Sequence, residues 1–245
     1  MKEERFFYVP DAENNSELPQ EEAVHAIRVL RLHEGDSIYL IDGRGKFYKA
    51  EVTMQTGKRC TYTITEELPQ QQQWNGRIHI AIAPTKMMDR IEWMAEKATE
   101  IGIDSISFLE CKFSERRQIR TDRVEKIVIA AMKQSRKAWL PTVNNIRPFQ
   151  DFITEERRGK KYICHCYNEI ERQDLFTLLQ KENTPHGEDV TILIGPEGDF
   201  SIEEVKQAIE HGYIPVTLGT SRLRTETAAL SAVMTAQLAK RTNNI

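Results

Sequence analysis

The chain has no apolar run that approaches the length of a membrane span, and its opening, MKEERFFYVP, has no signal-peptide hydrophobic region. It has only four cysteines, Cys60, Cys111, Cys164 and Cys166, at irregular positions that make no disulfide framework. A reducing cytoplasm is the expected location. Neither sign of charge dominates, with 34 Lys and Arg against 37 Asp and Glu. A net charge of −3 argues against a protein that coats nucleic acid, although a local basic face would still suffice for a specific contact. Neither G-x-G-x-x-G nor G-x-x-x-x-G-K-[ST] occurs, so dinucleotide-binding and P-loop readings lack their fingerprint. No cysteine or serine is set beside a base as an activated nucleophile.

What is present is enough for one large or two modest domains: 245 residues, 40% hydrophobic and 29% charged. The rest of the chain is organised around Thr191 to Leu230, TILIGPEGDFSIEEVKQAIEHGYIPVTLGTSRLRTETAAL. An apolar β-rich run, Thr191 to Ile194, turns sharply at Gly195-Pro196-Glu197-Gly198. Ser201 is placed to cap a helix with Glu203 and Glu204 in its first turn, running to about His211, and Gly212 fits the helix end. A second β-run, Val216-Thr217-Leu218, ends at Gly219, and a polar turn leads into an alanine-rich helix from Ala228 to Lys240. Two glycine turns after two β-runs expose backbone amides and carbonyls at the carboxyl ends of strands, where open α/β sheets bind ligands. A small, flat, partly polar ligand is expected there. Ordinary strand-to-helix turns are the plainer alternative, and valine at Gly195 or Gly219 is expected to block the ligand while leaving the protein folded.

The rest of the chain reads in the same terms. Arg5 to Val9, Ser37 to Ile41, Phe47 to Met54 and Arg59 to Thr65 are expected strands, with a helix from Gln20 to about Leu32 and a turn at Asp42-Gly43-Arg44-Gly45. Short strands with glycine turns suggest a small barrel. Glu66 to Trp74, with its glutamine run and Pro69, reads as a linker. Arg77 to Ala83 is a buried-type strand. Asp89 then caps a helix whose Ile91, Met94, Ala95 and Ala98 recur at helical spacing up to Gly102, and Ile103 to Leu109 is the next strand. Lys161 to Tyr167 is a strand expected beside the Thr191 run. In it Cys164 and Cys166 face one side and His165 the other, which argues against a metal site. Glu171 to His186 should form a helix and then a polar loop. From Lys112 to Arg147 ten basic residues outnumber three acidic ones, Glu115, Asp122 and Glu125. That segment is the best electrostatic candidate for an RNA face, with a helix basic on one side as the plainer alternative.

ILIGPEGDFS, then LG, then SRLRTETAAL resemble, in order, the three C-terminal motifs of the SPOUT methyltransferases, and most closely the RsmE family. Lys86, Lys97, Ala98, Thr99, Glu100 and Gly102 follow that family's K…W/Y…KATE-x-G segment, and Gln134-Ser135-Arg136 with Pro141 follows its QSxR…P segment. Arg116-Arg117 stands where the family has Arg-Ser. HAIRVLRL with GD and DGRG resembles the family's N-terminal domain. The resemblance implies an α/β protein with an N-terminal PUA-like β-barrel at residues 1–72 and a C-terminal SPOUT α/β domain with a trefoil knot at residues 74–245. It implies S-adenosylmethionine-dependent methylation of N3 of a uridine in small-subunit (16S) ribosomal RNA. The implied partners are ribosomal RNA or the small ribosomal subunit and a second copy of the chain, with no metal and no membrane.

On that resemblance Ile194, Gly195, Pro196, Glu197, Gly198, Leu218, Gly219, Leu223, Arg224, Thr225, Glu226, Thr227 and Ala228 are candidate cofactor residues. Arg224 and Glu226 are the candidate catalytic pair. Arg224 would stabilise charge on the base carbonyls, and Glu226 would accept a proton or hold the cofactor's amino acid part. A structural use of Glu226, satisfying amides at a helix N-terminus, stays open. Arg5, Arg28, Arg31, Arg44, Arg116 and Arg136 are candidate RNA contacts. The rival from another class is a non-catalytic RNA-binding or ribosome-assembly protein. A phosphate- or nucleotide-binding enzyme is a second rival, weakened by the absence of lysine from the glycine turns.

Overall fold

The computed structural model describes residues 4–181 and 187–241. They divide into two compact units, one of residues 4–72 with Ile129–Leu140, the other of residues 73–128 and 141–241 with the same gap. A division at residues 72 to 74 leaves Ile129–Leu140 in the second domain; packing puts it in the first. Met132 and Ala138 are buried in one apolar cluster with Ile41 and Phe47, and Trp139 and Leu140 lean on it.

In the first unit, strand β1 (Phe6–Tyr8) is followed by helix α1 (Gln20–Val24), which runs into a π-helical turn, His25–Val29. Strands β2 (Ser37–Ile41), β3 (Lys46–Thr56) and β4 (Arg59–Pro69) complete a four-stranded sheet in sequence order. The β1–β2 pair is parallel and the other pairs are antiparallel. Alternate residues of β3, from Tyr48 to Ala50 and Val52, are buried, as the two-residue period of a one-sided strand requires. The helical segment stops at Val29, short of Leu32. Arg31 takes a left-handed φ of 51° there, and Leu32 turns inward to full burial. The expected linker also starts later. Glu66 to Pro69 pair with Lys46 to Lys49 as the end of β4, and Leu68 packs on the Ile41–Phe47 cluster. Pairing and burial outweigh the polar composition that suggested a linker.

In the second unit, β5 (Ile78–Ile82), α2 (Met88–Ile101), β6 (Ser105–Glu110) and α3 (Thr121–Gln134, entering the first unit at Ile129) come first. They are followed by β7 (Thr142–Pro148), α4 (Phe149–Thr154), β8 (Lys160–Cys164), the two-residue β9 (Gln173–Asp174) and α5 (Leu175–Lys181). The chain ends with β10 (Val190–Ile194), α6 (Ile202–Glu210), β11 (Ile214–Thr217) and α7 (Thr225–Lys240). The expected helix and loop from Glu171 to His186 thus resolve into β9 and α5, and residues 182–186 lie outside the described residues.

The seven strands form one parallel sheet in the order β7-β6-β5-β10-β8-β11-β9. Every residue of β10 is buried, because helices cover both faces of such a sheet. Ala81, Ile163 and Leu193 face α4 and α6, through Phe152 and Val205. The buried stripe of α2, Ile91, Met94, Ala95 and Ala98, falls at the expected spacing. The helix is capped by Met87 without a side-chain bond, and Asp89 sits in the first turn, where its charge suits the helix dipole. No described helix is long and apolar enough to cross a membrane.

Candidate functional site

Chain order reverses beside β5: the path runs outward to β6 and β7 on one side and returns through β8, β10 and β11 on the other. The carboxyl ends of β5, β10, β8 and β11 therefore bring four loops together, the place where parallel sheets carry ligands.

The turn after β10 holds its neighbours with carboxylates. Asp199 takes the left-handed region (φ 68°), and its N–H closes the turn on the Pro196 carbonyl at 2.9 Å. Its carboxylate accepts from the Phe200 amide and from the Cys166 amide after β8, both at 2.8 Å. Glu197 accepts from the Lys86 amide after β5 at 2.9 Å. Glu204 completes a capping box with Ser201 and with its other oxygen accepts from the Lys112 amide after β6 at 2.8 Å. Three acidic side chains thus tie backbone donors of three neighbouring loops to this turn. Gly195 and Pro196 are buried in this turn, and Glu197 and Gly198 are exposed.

After β11, Thr217 Oγ1 donates to the Gly219 carbonyl at 2.8 Å. Gly219 is exposed at φ 116°, and a Cβ there would meet nothing within 4 Å. Leu218 and Leu223 are half-buried, and Arg222 is exposed. Arg224 is the extended N-cap of α7, with its side chain exposed and its carbonyl accepting from the Ala228 amide at 2.7 Å. Thr225 and Glu226 are buried, Thr227 exposed and Ala228 half-buried.

Glu226 stands apart from the other carboxylates. Its Oε2 is buried with no hydrogen-bond partner, and its Oε1 lies 3.8 Å from Nε of Arg90 on α2. No backbone amide donates to it among the described residues, so the capping use left open by the sequence is not made. Arg90 was not singled out from the sequence; its signal, a cation in the first turn of α2, is common to many surface helices.

The strand expected to reach Tyr167 ends at Cys164, so His165 and Cys166 lie in the loop after β8. His165 Nδ1 accepts from the Tyr167 amide at 3.2 Å, and burial holds the ring below its ordinary pKa. Burial pushes the Cys164 thiol up, and burial with the nearby Asp199 carboxylate does the same to Cys166, so neither is primed as a thiolate. No group of three metal-ligating side chains occurs among the described residues.

The basic segment is largely neutralised by acids from elsewhere. Arg117 pairs with Glu110, Arg123 with Glu92, Lys133 with Glu22, Arg136 with Glu4 and Arg147 with Glu155. The local count of three acids missed these partners because all five lie outside the segment counted. Arg116, a candidate RNA contact, donates to the carbonyls of Thr85 (3.1 Å) and Lys86 (2.6 Å), bracing the loop after β5. Arg136 takes φ 53° and lies 5.1 Å over the Phe6 ring. In the first unit Arg28 and Arg31, at the end of the helical segment, and Arg44, on the β2–β3 turn, are exposed without a carboxylate partner among the described residues, and Arg5 is half-buried.

Comparison with known proteins falls on both units. Residues 72–237 match the RNA methyltransferase domain family, and residues 18–65 match the RNA methyltransferase PUA domain. The chain is 27% identical over 230 residues to ribosomal RNA small subunit methyltransferase E of Rickettsia conorii, covering 93% of this chain and 91% of that one. A "probable rRNA-methyltransferase from Porphyromonas gingivalis" of known structure is 43% identical, with a TM-score of 0.87 over 96% of this chain and 98% of that one. The Neisseria gonorrhoeae ribosomal RNA small subunit methyltransferase E, solved bound to S-adenosyl methionine, is 27% identical, with a TM-score of 0.83 over 96% and 98%. With two units matched to two RNA methyltransferase domains and relatives spanning nearly the whole length, the chain belongs to the RNA methyltransferase domain family, and within it to the ribosomal RNA small subunit methyltransferase E (RsmE) proteins.

Proposed function

We propose that the chain transfers a methyl group from S-adenosylmethionine to N3 of a uridine in small-subunit ribosomal RNA. The observation that carries the reading is the buried, unpartnered Oε2 of Glu226 beside glycine-bearing loops at the carboxyl ends of the strands. A buried acceptor without a donor is costly, and such a cost is retained where a ligand supplies the missing partner. The open space over Gly219 suits a ligand that needs close approach to main chain.

The residues that would hold the cofactor are Ile194, Gly195, Gly198, Leu218, Gly219 and Leu223, with main-chain groups for the adenosine part and apolar side chains against its ring. Pro196, Thr225, Thr227 and Ala228 shape the same two loops, and Glu197 keeps the loop after β5 in place through the Lys86 amide. When bound, S-adenosylmethionine supplies an activated methyl group. Glu226 is suited to pair with a cationic or N–H group through Oε2. Arg224, exposed at the N-cap of α7, is suited to stabilise negative charge on the uracil carbonyls as the N3 proton passes to the Glu226 carboxylate or to water. The rest of the catalysis is positioning, since displacement at a sulfonium requires no covalent protein nucleophile.

The first unit is read as a PUA-like barrel that grips RNA, with Arg28, Arg31 and Arg44 at phosphates and Arg5 and Arg136 beside them. A trefoil knot around β10, β11 and α7, a homodimer and a cytoplasmic location complete the reading. The dimer is supported by α7, an alanine-rich helix that buries Ala229, Ala232, Val233 and Ala236 on one side yet leaves Met234 and Leu238 exposed on another. Isothermal titration with S-adenosylmethionine, beside NADH and ATP, tests the cofactor. Binding of S-adenosylmethionine alone is expected. No binding, with or without ribosomal RNA, would return the chain to the class of non-catalytic RNA-binding proteins.

A further inference from the structure

Phe113 is a large aromatic left 46% exposed in the second unit, on a turn whose backbone is hydrogen-bonded on both sides of it. It sits in the tight turn Cys111–Ser114 after β6. The Ser114 amide donates to the Cys111 carbonyl at 3.0 Å, and the Cys111 amide donates to Ser114 Oγ at 3.0 Å. Between them the Lys112 amide is held by Glu204, the residue that caps α6. The turn is thus pinned to the same framework as the glycine turn after β10. Single exposed apolar residues are ordinary on a protein surface. Three hydrogen bonds fixing the two residues before and the one after an exposed ring are less so.

The surroundings of the ring matter as much. A Cβ at Gly198 would lie 3.4 Å from Phe113 Cβ, so the glycine leaves this side of Phe113 clear of a neighbouring side chain. The Lys112 ammonium lies 5.5 Å from the ring centroid, and Arg116 braces the adjoining loop through the Thr85 and Lys86 carbonyls. A flat apolar face, a cation and the rim of the candidate cofactor loop therefore meet at one point. N3 of a paired uridine is hidden, so the base must leave its pair to react, and flipped or single-stranded bases are held by stacking on aromatic side chains.

We propose that Phe113 is the platform on which the unpaired target pyrimidine stacks beside the cofactor loop. The proposal rests on the methyltransferase reading for its substrate, and the test separates the two. Small-subunit ribosomal RNA transcribed with 5-iodouridine is crosslinked by light to wild type and to F113A, F113L and F113W, and the site is mapped by mass spectrometry. Methyl transfer, S-adenosylmethionine affinity, thermal unfolding and oligomer mass are measured on the same proteins.

A crosslink at Phe113 is expected in wild type. F113A should lose it and lose about tenfold to hundredfold in kcat/KM for RNA, the range of one base–aromatic stack. Its cofactor affinity, unfolding midpoint and oligomer mass should match wild type. F113W should recover the crosslink and most of the lost activity, and F113L should not. The proposal is overturned if F113A keeps its kcat/KM within twofold, or if F113L equals wild type. It is equally overturned if F113A loses cofactor affinity or oligomer mass in step with activity, which would make the ring part of the cofactor loop or of a subunit contact. A Phe113 crosslink without methyl transfer would keep the platform and remove the methylation reading; transfer indifferent to Phe113 would do the reverse.

Discussion

The turn after β10 and the loop after β11 each place glycine at the carboxyl end of a neighbouring part of one sheet, yet for different physical reasons. Gly195 is buried, and a Cβ there would lie 2.9 Å from the backbone nitrogen of Phe200. It is glycine because the chain folds back on itself. Gly219 is exposed at φ 116°, and a Cβ would meet nothing. It is glycine because of its backbone angle, and the space above it is free for a ligand. Gly198 is a third case, with neither a positive φ nor a backbone clash, only an ordinary contact with Phe113. Glycine in a ligand loop can therefore serve packing, conformation or clearance, and only the last two bear directly on binding.

Substitutions grade this comparison. Gly195→Val should have the largest effect, a loss of about 3 kcal/mol or more in stability from overpacking against main chain that cannot give way. Urea denaturation checks it, and an unchanged midpoint would put Gly195 in the same class as Gly198, where a side chain is tolerated. The earlier expectation that this variant stays folded is thereby revised.

Glu226→Gln keeps the shape and removes the charge. Methyl transfer should fall about a hundredfold, the scale of one lost electrostatic stabiliser, while thermal stability stays within about 1 kcal/mol, because the amide keeps the shape and Oε2 has no hydrogen bond to lose. A joint fall of stability and activity would instead make Glu226 a structural carboxylate.

Gly219→Val should cost about 1–3 kcal/mol of backbone strain but leave a folded protein that no longer binds S-adenosylmethionine. Retained calorimetric affinity would empty the pocket assignment. Arg31→Ala should weaken RNA binding severalfold and reduce its salt dependence by about one unit of slope, with cofactor affinity untouched. Equal RNA affinity would remove the first unit's proposed grip. Gly198→Ala should be the mildest, within about 0.5 kcal/mol of wild type in stability. A large loss would show that the turn is tighter than its contact with Phe113 indicates.

Local chemistry made much of this readable in advance. Ser201 and Glu204 announce a helix start because a capping box needs only residues three apart. Ile91, Met94, Ala95 and Ala98 announce the buried face of α2 because helical periodicity is intrinsic to the chain. The motif segments marked the candidate site, since strand, glycine turn and helix follow one another within forty residues. Arg116 shows the opposite case: nothing near it in sequence reveals that its guanidinium donates to two carbonyls some thirty residues earlier.

By itself, then, the sequence determined the kinds of elements and most of their ends, and singled out the stretch that carries the candidate site, because propensity, capping and periodicity act over a few residues. Tertiary structure alone decided the strand order that brings four loops together. It also decided the transfer of Ile129–Leu140 to the first unit, the pairing of the basic segment with acids outside it, and the burial of Glu226 with one oxygen unpartnered. Those outcomes depend on which distant groups meet, and charge and hydrogen-bond satisfaction are settled only once they have met.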